Sequence, residues 1–241
     1  MKVSRRETLA LIGGGTVLAA TGGATAFAMT RTPHAALAPW DQAGRYDDPR
    51  LYALSYGLLA PNPHNRQPWE VALDGEDGMV IYRNPDLDLP VTDPFARQLT
   101  IGMGCFLDLT RMAAAERGFM METELFPEGD DGPVARCRLV EGATTDPLFA
   151  HVMERRSHKE PFEARTVSAE AAAPLAQYAT LYLGGEKAQK LRDIANEAWL
   201  IEAATQDAWM ESIDFPPNGS KPPASSRSAS ANLSLIFSPE F

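Results

Sequence analysis

A chain of 241 residues with 44% hydrophobic and 22% charged content has the composition of an ordinary globular protein, long enough for one larger domain or two small ones. Its net charge of −10 argues against nucleic acid or an anionic membrane as the main partner, since both would be repelled. The cysteines are Cys105 and Cys137; two isolated thiols form no metal-ligand motif, and nothing else in the chain reads as a disulfide scaffold.

Residues 1–28 read as an address rather than as part of the fold. Lys2, Arg5 and Arg6 precede an apolar, glycine-diluted run from Leu9, which ends in Ala26-Phe27-Ala28, an A-x-A-like cleavage site. The paired arginines resemble a twin-arginine signal, with Thr8 where a bulky apolar residue is usual. The expectation is export to the periplasm or cell envelope through the twin-arginine machinery, which carries proteins already folded. An uncleaved N-terminal anchor is the alternative.

After a polar lead-in, a short helix is predicted with Pro49 near its start and Leu51, Leu54 and Leu58 on one face. It delivers the chain to Pro61-Asn62-Pro63-His64-Asn65-Arg66-Gln67-Pro68-Trp69. Three prolines forbid a helix here, so the stretch is a stiff loop. Asn62, Asn65 and Gln67 each offer a donor and an acceptor, which suits a planar polar ligand. The same composition also fits a plain turn shaped by its asparagines. Trp69, Val71 and Leu73 alternate as a strand, and Met79–Arg83 forms its hairpin partner across Asp74–Gly78.

Thr92 or Asp93 is predicted to cap a helix with Pro94 at its first position, running to about Arg117 and stopped by Gly118. Gly102 and Gly104 in so apolar a helix imply close approach of another backbone or a ligand, and Cys105 reads as a core residue. Strands are expected at Met121–Phe126 and Val134–Val140. A second unit begins near Asp146, with a helix from Leu148 to Met153. It leads into Arg155-Arg156-Ser157-His158-Lys159, a basic cluster in an acidic chain that suits a phosphate, or else forms a solvated basic turn. A helix over Ser168–Tyr178, a strand at Leu181–Leu183 and a long helix from Glu186 to Ser212 follow. Its stripe is Leu191, Ile194, Ala195, Ala198, Ile201, Thr205 and Ala208. From Pro216 to Phe241 the chain holds five Pro and seven Ser in 26 residues and reads as a disordered tail.

These motifs resemble the FMN-dependent nitroreductase superfamily, most of all its exported or stress-associated branch, in which two nitroreductase-like halves are fused. The family's Pro-Ser-x-x-Asn-x-Gln-Pro-Trp signature is similar to Pro61–Trp69, with Asn62 in place of Ser. Its Asp-Pro-x-x-Arg element resembles Asp93–Arg97, and its Arg-x-Ser-x-Lys/Arg motif resembles Arg155, Ser157 and Lys159. The resemblance implies an α+β fold, a mixed sheet wrapped by helices, with the second half incomplete. It divides the chain into an export signal (1–28), a first half (29–145), a partial second half (146–215) and the tail (216–241), as though the gene were truncated or frame-shifted near Phe215. It also implies an FMN site between the halves. Arg155 and Lys159 would hold the phosphate with help from Ser157, while Pro61, Asn62, Pro63, Asn65 and Gln67 would line the ring and ribityl chain. Arg97 is implied more weakly as an interface or ribityl contact. Family members are homodimers or fused mimics of dimers, and pass two electrons through the flavin, from NAD(P)H, to a nitro compound or quinone. No catalytic side chain and no metal are required; His64 is a less favoured acid or base. The competing expectations are a flavin-binding or flavin-sequestering protein without turnover, and an inactive remnant.

Overall fold

The computed structural model describes residues 34–158, 160–163 and 165–213. The signal expected at 1–28 and the tail expected at 216–241 lie outside the described residues.

Helix α1 (His34–Gln42) leads to α2 (Pro49–Gly57). α2 starts where the sequence predicts: Pro49 occupies a first-turn position and the Asp48 carboxylate accepts the Arg50 N–H. A hairpin of β1 (Trp69–Asp74) and β2 (Gly78–Arg83) follows, with Asp74 opposite Gly78. Helix α3 (Arg97–Glu116) then crosses to β3 (Phe119–Leu125) and β4 (Ala135–Glu141). The four strands form a sheet of order β1-β2-β4-β3 in which every pairing is antiparallel. The fold is α+β, as expected, but the described sheet is antiparallel rather than mixed. Hairpins join β1 to β2 and β3 to β4. α3 carries the chain from β2 over to β3, which runs in the same direction with β4 between them, so no two neighbouring strands are parallel.

One face of the sheet is the core. Trp69, Val71, Met79, Ile81, Met121, Ala135, Cys137 and Leu139 point into it at period two, and α3 covers them with Met103, Phe106, Leu107 and Ala113. Phe106 is fully buried and stacks on Trp69, with ring centroids 4.8 Å apart and planes at 22°. Burying one such ring contributes about 1.5–3 kcal/mol. α2 packs against α3 at Phe106 and Thr110, at very short range. A Cβ built on Gly57 would lie 2.4 Å from Thr110 Oγ1, so only glycine permits this crossing. The opposite face is wet and charged: Glu122 lies opposite Arg138 and Glu124 opposite Arg136.

Several predicted elements differ in detail. α3 begins at Arg97, not at Pro94. A turn over Asp93–Ala96 intervenes, Ala96 takes φ +51°, and the buried Asp93 carboxylate caps the helix by accepting the Leu99 N–H at 2.9 Å. Cys105 is only half-buried, and it is Cys137 that belongs to the core. Leu148–Met153 is replaced by a 3-10 turn, Pro147–His151. Ser168 does cap a helix, α4 (Ala169–Ala172), which gives way to a 3-10 turn where Pro174 lacks an N–H. No strand forms at Leu181–Leu183. The last helix is split into α5 (Gly185–Ala204) and α6 (Gln206–Ile213), because Thr205 leaves helical geometry. The periodic stripe of α5 is real but faces outward: Leu191, Ile194 and Ile201 are exposed, as are Trp199 and Leu200 beside them.

Candidate functional site

The amide-rich loop is held in a conformation that extended or helical residues do not adopt. His64, Asn65 and Gln67 have φ of +48°, +52° and +50°, each in the left-handed region. Asn62 braces it from within. Its Oδ1 accepts the Gln67 N–H at 2.8 Å, and its Nδ2 donates to the Ala60 carbonyl at 3.2 Å. Arg66 pins the outside by donating to the carbonyls of Leu87 at 2.8 Å and Asp86 at 3.3 Å. Below the loop lies Gly102 of α3, where a Cβ would come within 3.1 Å of Asn62 Cβ and 3.4 Å of Pro63 Cδ. The close approach implied by that helix glycine is therefore to the loop itself. Gly104 has open space at its Cβ position.

The sequence places Arg155 almost a hundred residues from this loop, and the chain folds so that its Nη2 donates to the Leu59 carbonyl at 2.7 Å. Leu59 is at the loop's base, two residues before Pro61. Arg155 Nε is buried and has no hydrogen-bond partner among the described residues. Burial pulls the guanidinium pKa down, the neighbouring Arg156 adds to this, and Cys105 opposes it. A half-buried cation with an unused N–H and, among the described residues, no carboxylate partner favours an anion. The Cys105 thiol beside it is held in its neutral form, pushed up first by burial and then by Asp108.

The other predicted site residues are distributed as follows. Asn62 is committed to the loop's own hydrogen bonds. Pro61 and Asn65 are exposed, and Pro63 and Gln67 are half-buried; the side-chain amides of Asn65 and Gln67 make no hydrogen bond among the described residues. Ser157 is exposed, and Lys159 lies outside the described residues. Arg156 turns away and stacks on Trp40, 3.9 Å from the ring centroid, while the His158 ring lies against Phe162 at 5.0 Å. Arg97 is exposed at the start of α3. Thus Arg155 meets the base of the loop, while Arg156 and His158 turn to other partners.

One participant was not visible in the sequence. Glu211 of α6 reaches the turn before α3. Its Oε1 accepts the Val91 N–H at 3.2 Å; its Oε2 accepts the Thr92 N–H at 2.8 Å and the Thr92 hydroxyl at 2.5 Å. The Thr92 hydroxyl lies 3.4 Å from Nε2 of His64, in the amide loop. No local spacing announces a contact made across 119 or 120 residues.

No protein-family model matches the chain. Two Mycobacterium tuberculosis proteins of strain H37Rv are similar to part of it. One, named "Putative NAD(P)H nitroreductase Rv3131", is 31% identical over 86 residues, which is 36% of this chain and 24% of that protein. The other, "Putative NAD(P)H nitroreductase acg", is 32% identical over 79 residues, 33% of this chain and 24% of that protein. Part of this chain is homologous to nitroreductase-family oxidoreductases. The match spans about a quarter of the length of these relatives. Among the described residues there is no cluster that could hold a metal ion and no helix long and apolar enough to cross a membrane.

Proposed function

We propose that this protein is an FMN-binding oxidoreductase of the nitroreductase type, which passes two electrons from NAD(P)H or a similar donor to a nitro- or quinone-like acceptor. The observation that carries the reading is the buried, unpartnered Nε of Arg155 at the base of the amide loop. A donor set of that kind fits the phosphate of FMN, and the partial homology to NAD(P)H nitroreductase-named proteins supports it.

When bound, the flavin supplies the electron-carrying chemistry. The chain's own residues bind and orient it. Arg155 neutralises the phosphate, with Ser157 and Lys159 completing that end. Pro61, Pro63, Asn65 and Gln67 form the wall beside the ring and ribityl chain. Asn62 acts by fixing the loop's left-handed backbone, so that the wall is rigid before the ligand arrives. Gly102 lets that wall sit directly on α3.

The domain reading that accompanies this function makes 29–145 a first half and 146–215 a partial second half. Residues 1–28 direct export by the twin-arginine route, and a second copy in a homodimer covers the exposed stripe of α5. Purified protein tests the main claim. Bound flavin absorbance that bleaches on anaerobic addition of NADPH supports an oxidoreductase. A second reading, flavin binding without turnover, is favoured by the exposure of Ser157 and of nearly all of α5, which leaves the second wall open. Colour without bleaching by NADPH or a chemical alternative such as NADH would select it. No flavin uptake from added FMN would sink both.

A further inference from the structure

The turn that receives Glu211 is built as a receptor for a carboxylate. Two successive backbone N–H groups, of Val91 and Thr92, point at one anion, and the Thr92 hydroxyl donates to the same oxygen as its own N–H. Successive amides converging on one point form an anion-binding concavity. Both carboxylate oxygens are used, one by Val91 and one by Thr92, so the arrangement matches a planar two-oxygen group. Behind the hydroxyl stands His64 Nε2, which can donate to Thr92 Oγ1 once that hydroxyl has turned its own proton towards the carboxylate. Burial pulls the Glu211 carboxyl up, but the Thr92 hydroxyl, the two N–H groups and His64 outweigh it and hold the group below its ordinary value. It is held as an anion.

The carboxylate that fills this receptor sits on a loosely attached element. Among the described residues, the hydrogen bonds that join 160–213 to the rest of the chain all end on Glu211. α5 and α6 bury almost nothing else: Ala188 is the buried residue of one and Ala208 of the other, while Trp209, Met210 and Ile213 are exposed. An element held by the hydrogen bonds of one side chain and by little buried surface can leave without unfolding the sheet. Val91 in this turn and Phe95 in the next one are exposed at 43% and 91%, apolar side chains near in sequence that are open to an aromatic ring.

We propose that the Val91–Thr92 turn with His64 is a binding site for a small aromatic carboxylate, and that Glu211 is its intramolecular occupant. An incoming carboxylate displaces α6, and by reciprocity a displaced α6 raises the site's affinity. The site exists whether or not flavin binds. If the oxidoreductase reading holds, it lies against the same loop and selects carboxylate-bearing acceptors.

The test uses the full 15N-labelled chain without FMN, with benzoate as the probe. In the Glu211→Ala variant the Val91 and Thr92 amide signals shift on loss of the carboxylate and move back saturably as benzoate is added. In the wild type a tethered competitor with an effective concentration in the ~mM range makes the same response require at least about tenfold more benzoate. Adding Thr92→Val to the Glu211→Ala chain removes the response. The proposal is overturned if benzoate leaves Val91 and Thr92 unmoved in Glu211→Ala, if inorganic phosphate acts as strongly as benzoate, or if wild type and variant respond alike. Glu211→Gln is the second variant, with the same readout at reduced contrast. Should neither variant keep the dispersed amide spectrum of the wild type, Glu211 is a structural requirement and the proposal fails.

Discussion

Asn62 offers the sharpest separation between shaping a site and touching a ligand. Its side chain makes two hydrogen bonds inside the loop, to the Gln67 N–H and the Ala60 carbonyl. Each contributes roughly 0.5–1.5 kcal/mol net, so Asn62→Ala removes about 1–3 kcal/mol of local bracing. Against that brace stand the left-handed backbones of His64, Asn65 and Gln67, each of which costs on the order of 1 kcal/mol or more to hold. The two quantities are comparable, so without the brace the loop relaxes while the sheet stays folded. The loss appears in binding as ordering that the ligand must now impose, and 1–3 kcal/mol corresponds to about 5- to 150-fold weaker FMN. Asn62→Ser keeps an acceptor for the Gln67 N–H, and is predicted to stay within about fivefold of the wild type. Flavin fluorescence titration reads the affinity, and amide exchange at Gln67 reads the brace, with about tenfold faster exchange expected in the alanine variant. Equal loss of affinity in the serine and alanine variants would refute the reasoning, as would faster Gln67 exchange with no change in affinity.

Gly57→Ala places a methyl 2.4 Å from Thr110 Oγ1, and is predicted to lower stability by about 1–3 kcal/mol in urea despite the better helix propensity of alanine; pairing it with Thr110→Ala should recover part of the loss. Phe106→Ala empties the stacking partner of Trp69 and should lower stability by about 3–5 kcal/mol, measured the same way with Trp fluorescence as a second probe. Asp48 has its carboxyl pKa lowered, chiefly by the hydrogen bond from Arg50. A depressed folded-state value means that its stabilisation is fully present above the unfolded value near ~4 and is lost as pH falls below that, so Asp48→Asn should flatten the acid limb of a stability–pH curve while changing its slope little at neutral pH.

The local half of this structure could be read from the residues. Prolines and glycines fixed the position of the amide loop and of the Asp74–Gly78 turn, because those residue types constrain φ or the hydrogen-bond supply directly. The α2 start was legible for the same reason, in Pro49. The start of α3 was not, since Asp93 caps across an intervening turn by reaching the Leu99 N–H, and a cap is normally sought two or three residues ahead. Periodicity found the stripe of α5 but could not say what covers it; a period reports an amphipathic face, not its partner. Leu181–Leu183 has strand-like residues yet no neighbour to pair with among the described residues, and pairing decides strands more than propensity does. Of the candidate site, the approach of Arg155 to the loop was anticipated by motif resemblance and by no local spacing. Glu211 was invisible, since its partners lie 119 and 120 residues away.

Arg155 forms the phosphate end of the proposed flavin site, and its removal is the decisive perturbation. Titrating wild type and Arg155→Ala with FMN and with riboflavin isolates the phosphate from the ring. Loss of a charge-assisted contact predicts FMN affinity lower by about 10- to 100-fold, with riboflavin within about twofold. Equal losses for the two ligands, or none for either, would contradict the claim that Arg155 forms the phosphate end of a flavin site.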